Sequence, residues 1–179
     1  MSIPPRRSAP RRAILLALAL AALGAATVAA ATTAAPAPAA TPPTCGTFAL
    51  LGELRHPTAG LGSRFVTLVL TNVTRSTCRL RGYPSLRLLG PTNRPLPTHV
   101  VHVAVAGGPR TVVLAPGASA RSDLRFSAIA HRGEPTRGAC EPRPARVRVA
   151  PPGGAHPFVI PWRLGPVCGH GEIEAKPLR

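Results

Sequence analysis

Four widely spaced cysteines constrain this chain more than any other feature. No two of them stand at the short separation that paired zinc ligands need, so a structural zinc site is disfavoured. An even number of separated cysteines predicts disulfides if the chain reaches an oxidising compartment. Several pairings are possible, and we favour bridges between chain neighbours, which one sheet can bring together: Cys45–Cys78 and Cys140–Cys168.

Residues 1–31 have the composition of an export signal. Four arginines precede an apolar stretch that begins at Ile14, and small residues continue as far as Ala31. This is the order of charge, apolar core and small-residue cleavage site found in signal peptides. Retention as a membrane anchor is the alternative because residues 13–31 carry no charge, but alanine contributes little to membrane insertion. We therefore favour cleavage after Ala31, with a later site near Ala35 or Ala40 as the alternative, and expect the four cysteines to form two disulfides.

A spacer separates the signal from the part that folds. Residues 32–44 contain only alanine, threonine and proline, a composition that cannot bury a core and is typical of a disordered linker. Residues 45–179 remain for the folded domain, which is long enough for a self-sufficient hydrophobic core.

The charge of the chain is strongly positive. Its formal net charge is +16, and Lys176 is the only lysine among its basic residues. The arginines are scattered along the chain, as a GC-rich coding sequence produces, so we interpret them as solvated strand faces and disfavour nucleic acid. The expected partners are anionic cell-wall polymers or a surface protein, and a membrane is expected only through a retained signal.

Alternation of apolar and polar residues predicts about eight or nine short strands. No segment after residue 45 has a helical period, and the 23 prolines of the chain disfavour long helices. Regularly spaced short strands with glycine and proline turns are typical of a β-sandwich. Phe65, Phe126 and Trp162 lie in apolar runs and are predicted to be core residues. The predicted strands are residues 47–54, 64–71, 86–88, 100–105, 111–114, 120–127, 146–149, 158–162 and 172–174.

No catalytic constellation is evident. Asp123 is the only aspartate, and Glu172 and Glu174 are expected to share the solvated face of one strand because Ile173 between them points inward. A hydrolase needs a nucleophile, a base and an orienting acid, and no such set is apparent. We therefore expect no enzymatic activity and no cofactor.

The six histidines leave one alternative open. His99 and His102 are predicted to face opposite sides of a strand, a poor geometry for one metal ion. His56, His131 and His170 are predicted in loops, where they could form a surface copper or zinc site. His131 and His170 are the candidates for such a site. The full set is His56, His99, His102, His131, His156 and His170.

Two short motifs resemble a known family. The first begins at Asn72 and runs through Cys78 to Gly82-Tyr83-Pro84, and the second is the turn at Pro116-Gly117. They are similar to the signatures of a domain family of unknown function, number 4232, of secreted proteins and lipoproteins in actinobacteria. The resemblance implies an extracytoplasmic, immunoglobulin-like antiparallel β-sandwich and supplies no activity or catalytic residue.

The expected role is therefore that of a secreted or cell-wall-associated binding or structural module. Recognition would use sheet edges or the two longest loops, residues 91–98 and 130–138, because function tends to lie on loops held by a rigid scaffold. Asn72 is predicted to bond the backbone of its own turn, and the Gly82-Tyr83-Pro84 corner is predicted to aim the next strand.

Overall fold

The computed structural model describes residues 40–153 and 157–179, and this part of the chain is almost entirely β-structure. None of its helices has the length and apolar character needed to span a membrane. A 3-10 turn, Thr47–Ala49, precedes the strands, and a four-residue helical turn, Cys168–Gly171, precedes the last one. The strands are β1 Leu50–Gly60, β2 Ser63–Asn72, β3 Cys78–Arg81, β4 Ser85–Leu89, β5 His99–His102, β6 Thr111–Leu114, β7 Ser119–Ser127, β8 Arg146–Ala150, β9 Phe158–Pro161 and β10 Glu172–Ala175.

A five-stranded sheet forms one layer, in the order β1-β2-β7-β10-β5. Its neighbouring strands are antiparallel except at the edge, where β10 and β5 run parallel. The long hairpin of β1 and β2 contains an irregularity between Arg55 and Thr58. His56 lies at this irregularity with a positive φ of 53°, so it belongs to a bulged strand and the prediction that it lies in a loop was wrong.

Two smaller antiparallel sheets form the remainder. Strand β8 pairs with both β4 and β9, while β3 pairs with β6. The loop after β4 folds back on it, since the N–H of Leu96 donates to the carbonyl of Leu88. The outer edge of β4 is thereby covered, which protects an unpaired strand edge from association with another chain.

One apolar cluster joins all three sheets. Alternate residues of β2 and β7, such as Leu68 and Leu124, point into it, as do Val147 and Val149 of β8. The ring of Phe126 packs against Trp162 with a centroid distance of 5.2 Å. Burying each such side chain stabilises the fold by about 1.5–3 kcal/mol, so this shared cluster holds the sheets together.

The expected all-β antiparallel sandwich with two disulfides is confirmed. The bridges are Cys45–Cys78 and Cys140–Cys168, with Cα–Cα distances of 4.9 and 5.6 Å, and no described cysteine is free. The first bridge lies near the chain entry to the domain. There the N–H of Arg79 donates to Pro43 and the N–H of Cys45 donates to Arg79, so β3 also holds the residues around Cys45.

Several local predictions were wrong. Strand β3, which begins at Cys78, is absent from the predicted strands, because its pairing partner β6 comes from a distant part of the chain. Residues 47–49 form a 3-10 turn. Phe65 is 42% exposed on the outer side of β2, because alternation along β2 gives the inward positions to Val66, Leu68 and Leu70.

Candidate functional site

The side chain of Asn72 is completely buried and makes four hydrogen bonds. Its Nδ2 donates to the carbonyls of Ser76 and Leu114, and its Oδ1 accepts from the N–H and hydroxyl of Thr74. The Asn72 backbone carbonyl accepts from the N–H of Gly117. Asn72 thus joins the turn after β2 to the Pro116-Gly117 turn, and with its hydrogen-bonding capacity used it has a structural role.

The Gly82-Tyr83-Pro84 corner is tied to the end of the chain. Gly82 has a φ of 120°, and its carbonyl accepts from the N–H of Leu178. The Tyr83 hydroxyl donates to the carbonyl of Val103 over 3.0 Å, and the Tyr83 ring stacks on His102 at 4.2 Å. These contacts hold the Tyr83 side chain in place, and each ring covers one face of the other.

A buried carboxylate organises the loop between β7 and β8. The carboxylate of Glu134 accepts hydrogen bonds from the backbone N–H groups of His131, Gly169 and His170, at 2.7, 3.0 and 2.7 Å. Its side chain is only 1% exposed. The nearby Cys140–Cys168 bridge joins the same two segments. Glu134 therefore clamps residues 131–134 to the turn before β10.

The environment of Glu134 lowers the pKa of its carboxyl group. Burial acts to raise its pKa, but the hydrogen bonds from the His131, His170 and Gly169 backbones and the nearby His170 ring outweigh burial and lower the pKa from 4.5 to about 2. The carboxylate is therefore charged at neutral pH. No residue pattern in the sequence marked Glu134, because its donors come mainly from a turn more than thirty residues away.

The five histidines that the structure describes do not assemble as one site. The His170 Nδ1 lies 3.6 Å from Glu141 and 3.9 Å from Glu134, and these three side chains offer a possible set of metal ligands. His131 is not in that set. His99 and His102 are exposed on strand β5. His156 lies outside the described residues.

The acidic residues lie on the five-stranded sheet and in the loop that follows β7. Four of the six lie at outward positions of the five-stranded sheet, and the other two, Glu134 and Glu141, lie in the loop between β7 and β8. Asp123 contacts Arg179 at 2.7 Å, and Glu174 contacts Arg125 at 2.8 Å. The four outward acids are Glu53, Asp123, Glu172 and Glu174.

A groove of about 350 Å³ crosses this outer surface, with Phe65 and Asp123 among its lining residues. Its principal charges are already paired: Asp123 with Arg179 and Lys176, which follow β10, and Arg125 with Glu174. A charged ligand would have to displace these partners. We therefore do not regard the groove as a binding site for a charged ligand.

The exposed charges of the three-stranded sheet are all positive. Its strands contain three arginines and no acid, and the buried residues between them show that the arginines point outward. In the pairing of β4 with β8, Arg87 lies directly opposite Arg148. Within residues 40–153 and 157–179, no carboxylate forms an ion pair with any of these arginines. We call Arg87, Arg146 and Arg148 the arginine face.

Two shallow grooves flank Arg148. One, of about 490 Å³, is lined by Arg87, Pro95 and Arg148, and the other, of about 460 Å³, contains Arg146, Arg148 and Val159. Arg146 is held in place because its Nη1 donates to the Pro91 carbonyl at 3.1 Å and the Asn93 side chain at 2.9 Å. The loop of residues 91–98 thus supports the arginine face.

Comparison with known proteins identifies a family but no function. The family model described as a domain of unknown function (DUF4232) matches residues 45–179. No curated protein and no solved structure matched the chain.

Proposed function

Because the chain belongs to this family of unknown function, we propose that the protein is a secreted or cell-wall-associated, non-catalytic module of an actinobacterium that binds an anionic wall component. The observation that carries the proposal is the separation of charge in the fold. All six acids lie outside the strands of the two smaller sheets, while β4 and β8 expose three arginines that form no ion pair within the described residues. Such a surface attracts polyanions and steers their association.

The proposed location rests on the cysteines and the N-terminal composition. Two disulfides that use all the cysteines are compatible with an extracytoplasmic compartment. The signal composition of residues 1–31 and the spacer of residues 32–44 complete the argument. Secretion is tested by fractionating cells that express the full chain and by sequencing the N-terminus of the exported form. We expect cleavage near Ala31.

Binding to purified cell wall across a salt series tests the function. We expect the full chain to sediment with wall at low salt and to be released as salt rises, because screening weakens interactions between exposed charges. Wall stripped of its anionic polymers is the matched control and should bind little protein. Equal retention on stripped wall, or no retention at any salt concentration, would refute the proposal, and the latter would favour a surface protein as partner.

Metal handling is the second candidate, supported by the position of His170 between Glu134 and Glu141. Its weakness is that Glu134 already accepts three backbone hydrogen bonds. Calorimetric titration with zinc and copper salts tests this role, with His170→Ala as the variant and His99→Ala as the matched control. One equivalent of metal that His170→Ala alone abolishes would support it, and the absence of stoichiometric binding would exclude it.

A further inference from the structure

We infer that the arginine face binds an extended polymer with repeating phosphate groups. The inference rests on the proposed function and names the chemistry and place of wall recognition. It begins with the unusual pairing of two positive side chains. Cross-strand neighbours have Cβ atoms about 4.5–5.5 Å apart, and like charges placed there repel each other. Arg87 and Arg148 occupy such a pair.

No carboxylate pairs with Arg87 or Arg148 in the part of the chain that the structure describes. On the five-stranded sheet, by contrast, Arg55 pairs with Glu53 and Arg125 pairs with Glu174. The chain has only six acids, and none lies on β4, β8 or β9, the strands of the three-stranded sheet. An anion from outside would neutralise the Arg87–Arg148 pair and thereby gain more binding free energy than it would at an arginine that is already paired.

The geometry suits several anionic groups in a row. Arg146 and Arg148 point the same way from β8 and are two residues apart, which corresponds to about 7 Å along a strand. The grooves on both sides of Arg148 extend the surface beyond a single anion. Arg146 is also pre-oriented by Pro91 and Asn93, which lowers the entropy lost when it binds.

The guanidinium group of arginine is well suited to phosphate. The planar fork of arginine donates two parallel hydrogen bonds to a phosphate and is less strongly hydrated than an ammonium group. Single-stranded nucleic acid would also require aromatic side chains on which its bases stack. None of the exposed residues on the strands of the three-stranded sheet is aromatic: they are Ser85, Arg87, Arg146, Arg148, Val159 and Pro161. A phosphate polymer that is recognised through its backbone therefore fits this face better than a nucleic acid does.

The test compares two double variants with the same change in net charge. Arg87→Gln/Arg148→Gln removes the opposed pair, whereas Arg55→Gln/Arg121→Gln removes two arginines from the outer side of the five-stranded sheet. Binding of the exported full-length protein to poly(glycerol phosphate) is measured by calorimetry from low to physiological salt. We expect the first variant to bind about tenfold or more weakly and to have a shallower salt dependence, and the control to lose less than about threefold.

The outcomes separate the explanations. Equal losses in the two variants would show that net charge alone drives binding and would overturn the inference. Equally tight binding of wild-type protein to poly-glutamate of matched length would overturn the choice of phosphate. Tighter binding to anionic lipid vesicles or to single-stranded DNA would overturn the choice of polymer.

Two further measurements keep the inference distinct from the proposed function. If wild-type protein sediments with cell wall but does not bind poly(glycerol phosphate), the inference fails and the proposed function stands. If it binds neither, both fail. Folding of the variants is checked by thermal unfolding, where removal of the opposed charges should leave the midpoint of Arg87→Gln/Arg148→Gln unchanged or raise it. A lowered midpoint would contradict the repulsion from which the inference begins.

Discussion

Substitution of Glu134 by Gln should destabilise the domain in a pH-dependent way. The glutamine side chain keeps the shape of glutamate but has a neutral carbonyl oxygen and an amide nitrogen that cannot accept hydrogen bonds. One or more of the three N–H groups, from His131, Gly169 and His170, would lose its acceptor. The substitution therefore removes the charge of the clamp and part of its hydrogen bonding.

The lowered pKa of Glu134 sets the size of the expected loss in unfolding free energy. A carboxyl whose pKa falls from 4.5 to about 2 on folding stabilises the folded state by about 3 kcal/mol in its ionised form. The Glu134 side chain is only 1% exposed, but it lies near the surface, where solvent screens part of the interaction. We therefore expect Glu134→Gln to lower the free energy of unfolding by about 2 kcal/mol at pH 7.

The sign of the pH dependence is set by the lowered pKa. The stabilising contribution of Glu134 is fully present above its unfolded value of 4.5 and is lost as pH falls towards about 2. The difference in stability between the wild-type protein and Glu134→Gln should therefore be constant above about pH 5. It should shrink between pH 4.5 and pH 2.

Urea unfolding from pH 2 to pH 7, with both disulfides intact, measures this difference. Glu172→Gln is the matched control, because it changes an exposed glutamate on β10 that forms no ion pair within the described residues. A Glu134→Gln difference that persists unchanged at pH 2, or a loss at pH 7 no larger than that of the control, would refute this account of the clamp.

Two further substitutions test the contacts around the family motifs and the last strand. Asn72→Ala should lower the free energy of unfolding by about 3 kcal/mol, since four hydrogen bonds are lost and the Leu114 carbonyl is left buried without this donor. Urea unfolding measures the loss, and the control Thr74→Ala should lose only about 1 kcal/mol. Gly171→Ala should lower the thermal midpoint markedly or prevent folding, because Gly171 has a φ of 80° and an added Cβ would collide with the Pro97 carbonyl. Gly138→Ala is its matched control: it has the same φ of 80° in open space, so an equal effect in both would mean that the collision is unimportant.

Alternation of apolar and polar residues predicted the strands well where one face of the strand is buried and the other is exposed to solvent. Strand β8 alternates arginine and valine, and β7 alternates in the same way, so the side-chain period of two is visible in each segment alone. The prediction failed at β3, where the signal is only four residues long and the strand depends on pairing with β6. It also failed for Phe65, which is apolar but lies at an outward position of β2.

The sites were less predictable than the strands. The sequence interpretation treated the arginines as scattered, and along the chain they are. The register of β4 against β8 nevertheless brings Arg87 and Arg148 into one pair, and the strand order keeps the acids on other elements. Glu134 was not singled out because a lone glutamate in a polar loop shows no pattern until the turn at Gly169 and His170 reaches it.

The sequence by itself determined the class of this protein: a disulfide-linked, all-β domain with an exportable N-terminal composition and two family motifs. These features are local, because cysteine number, alternation and turn residues act within a few positions or through composition. The tertiary structure determined which charged side chains lie next to each other. Burial of the shared core determines the register and the order of the strands. The register in turn determines which side chains lie next to each other on the outer faces of the sheets. The arginine face and the Glu134 clamp therefore arise from long-range packing.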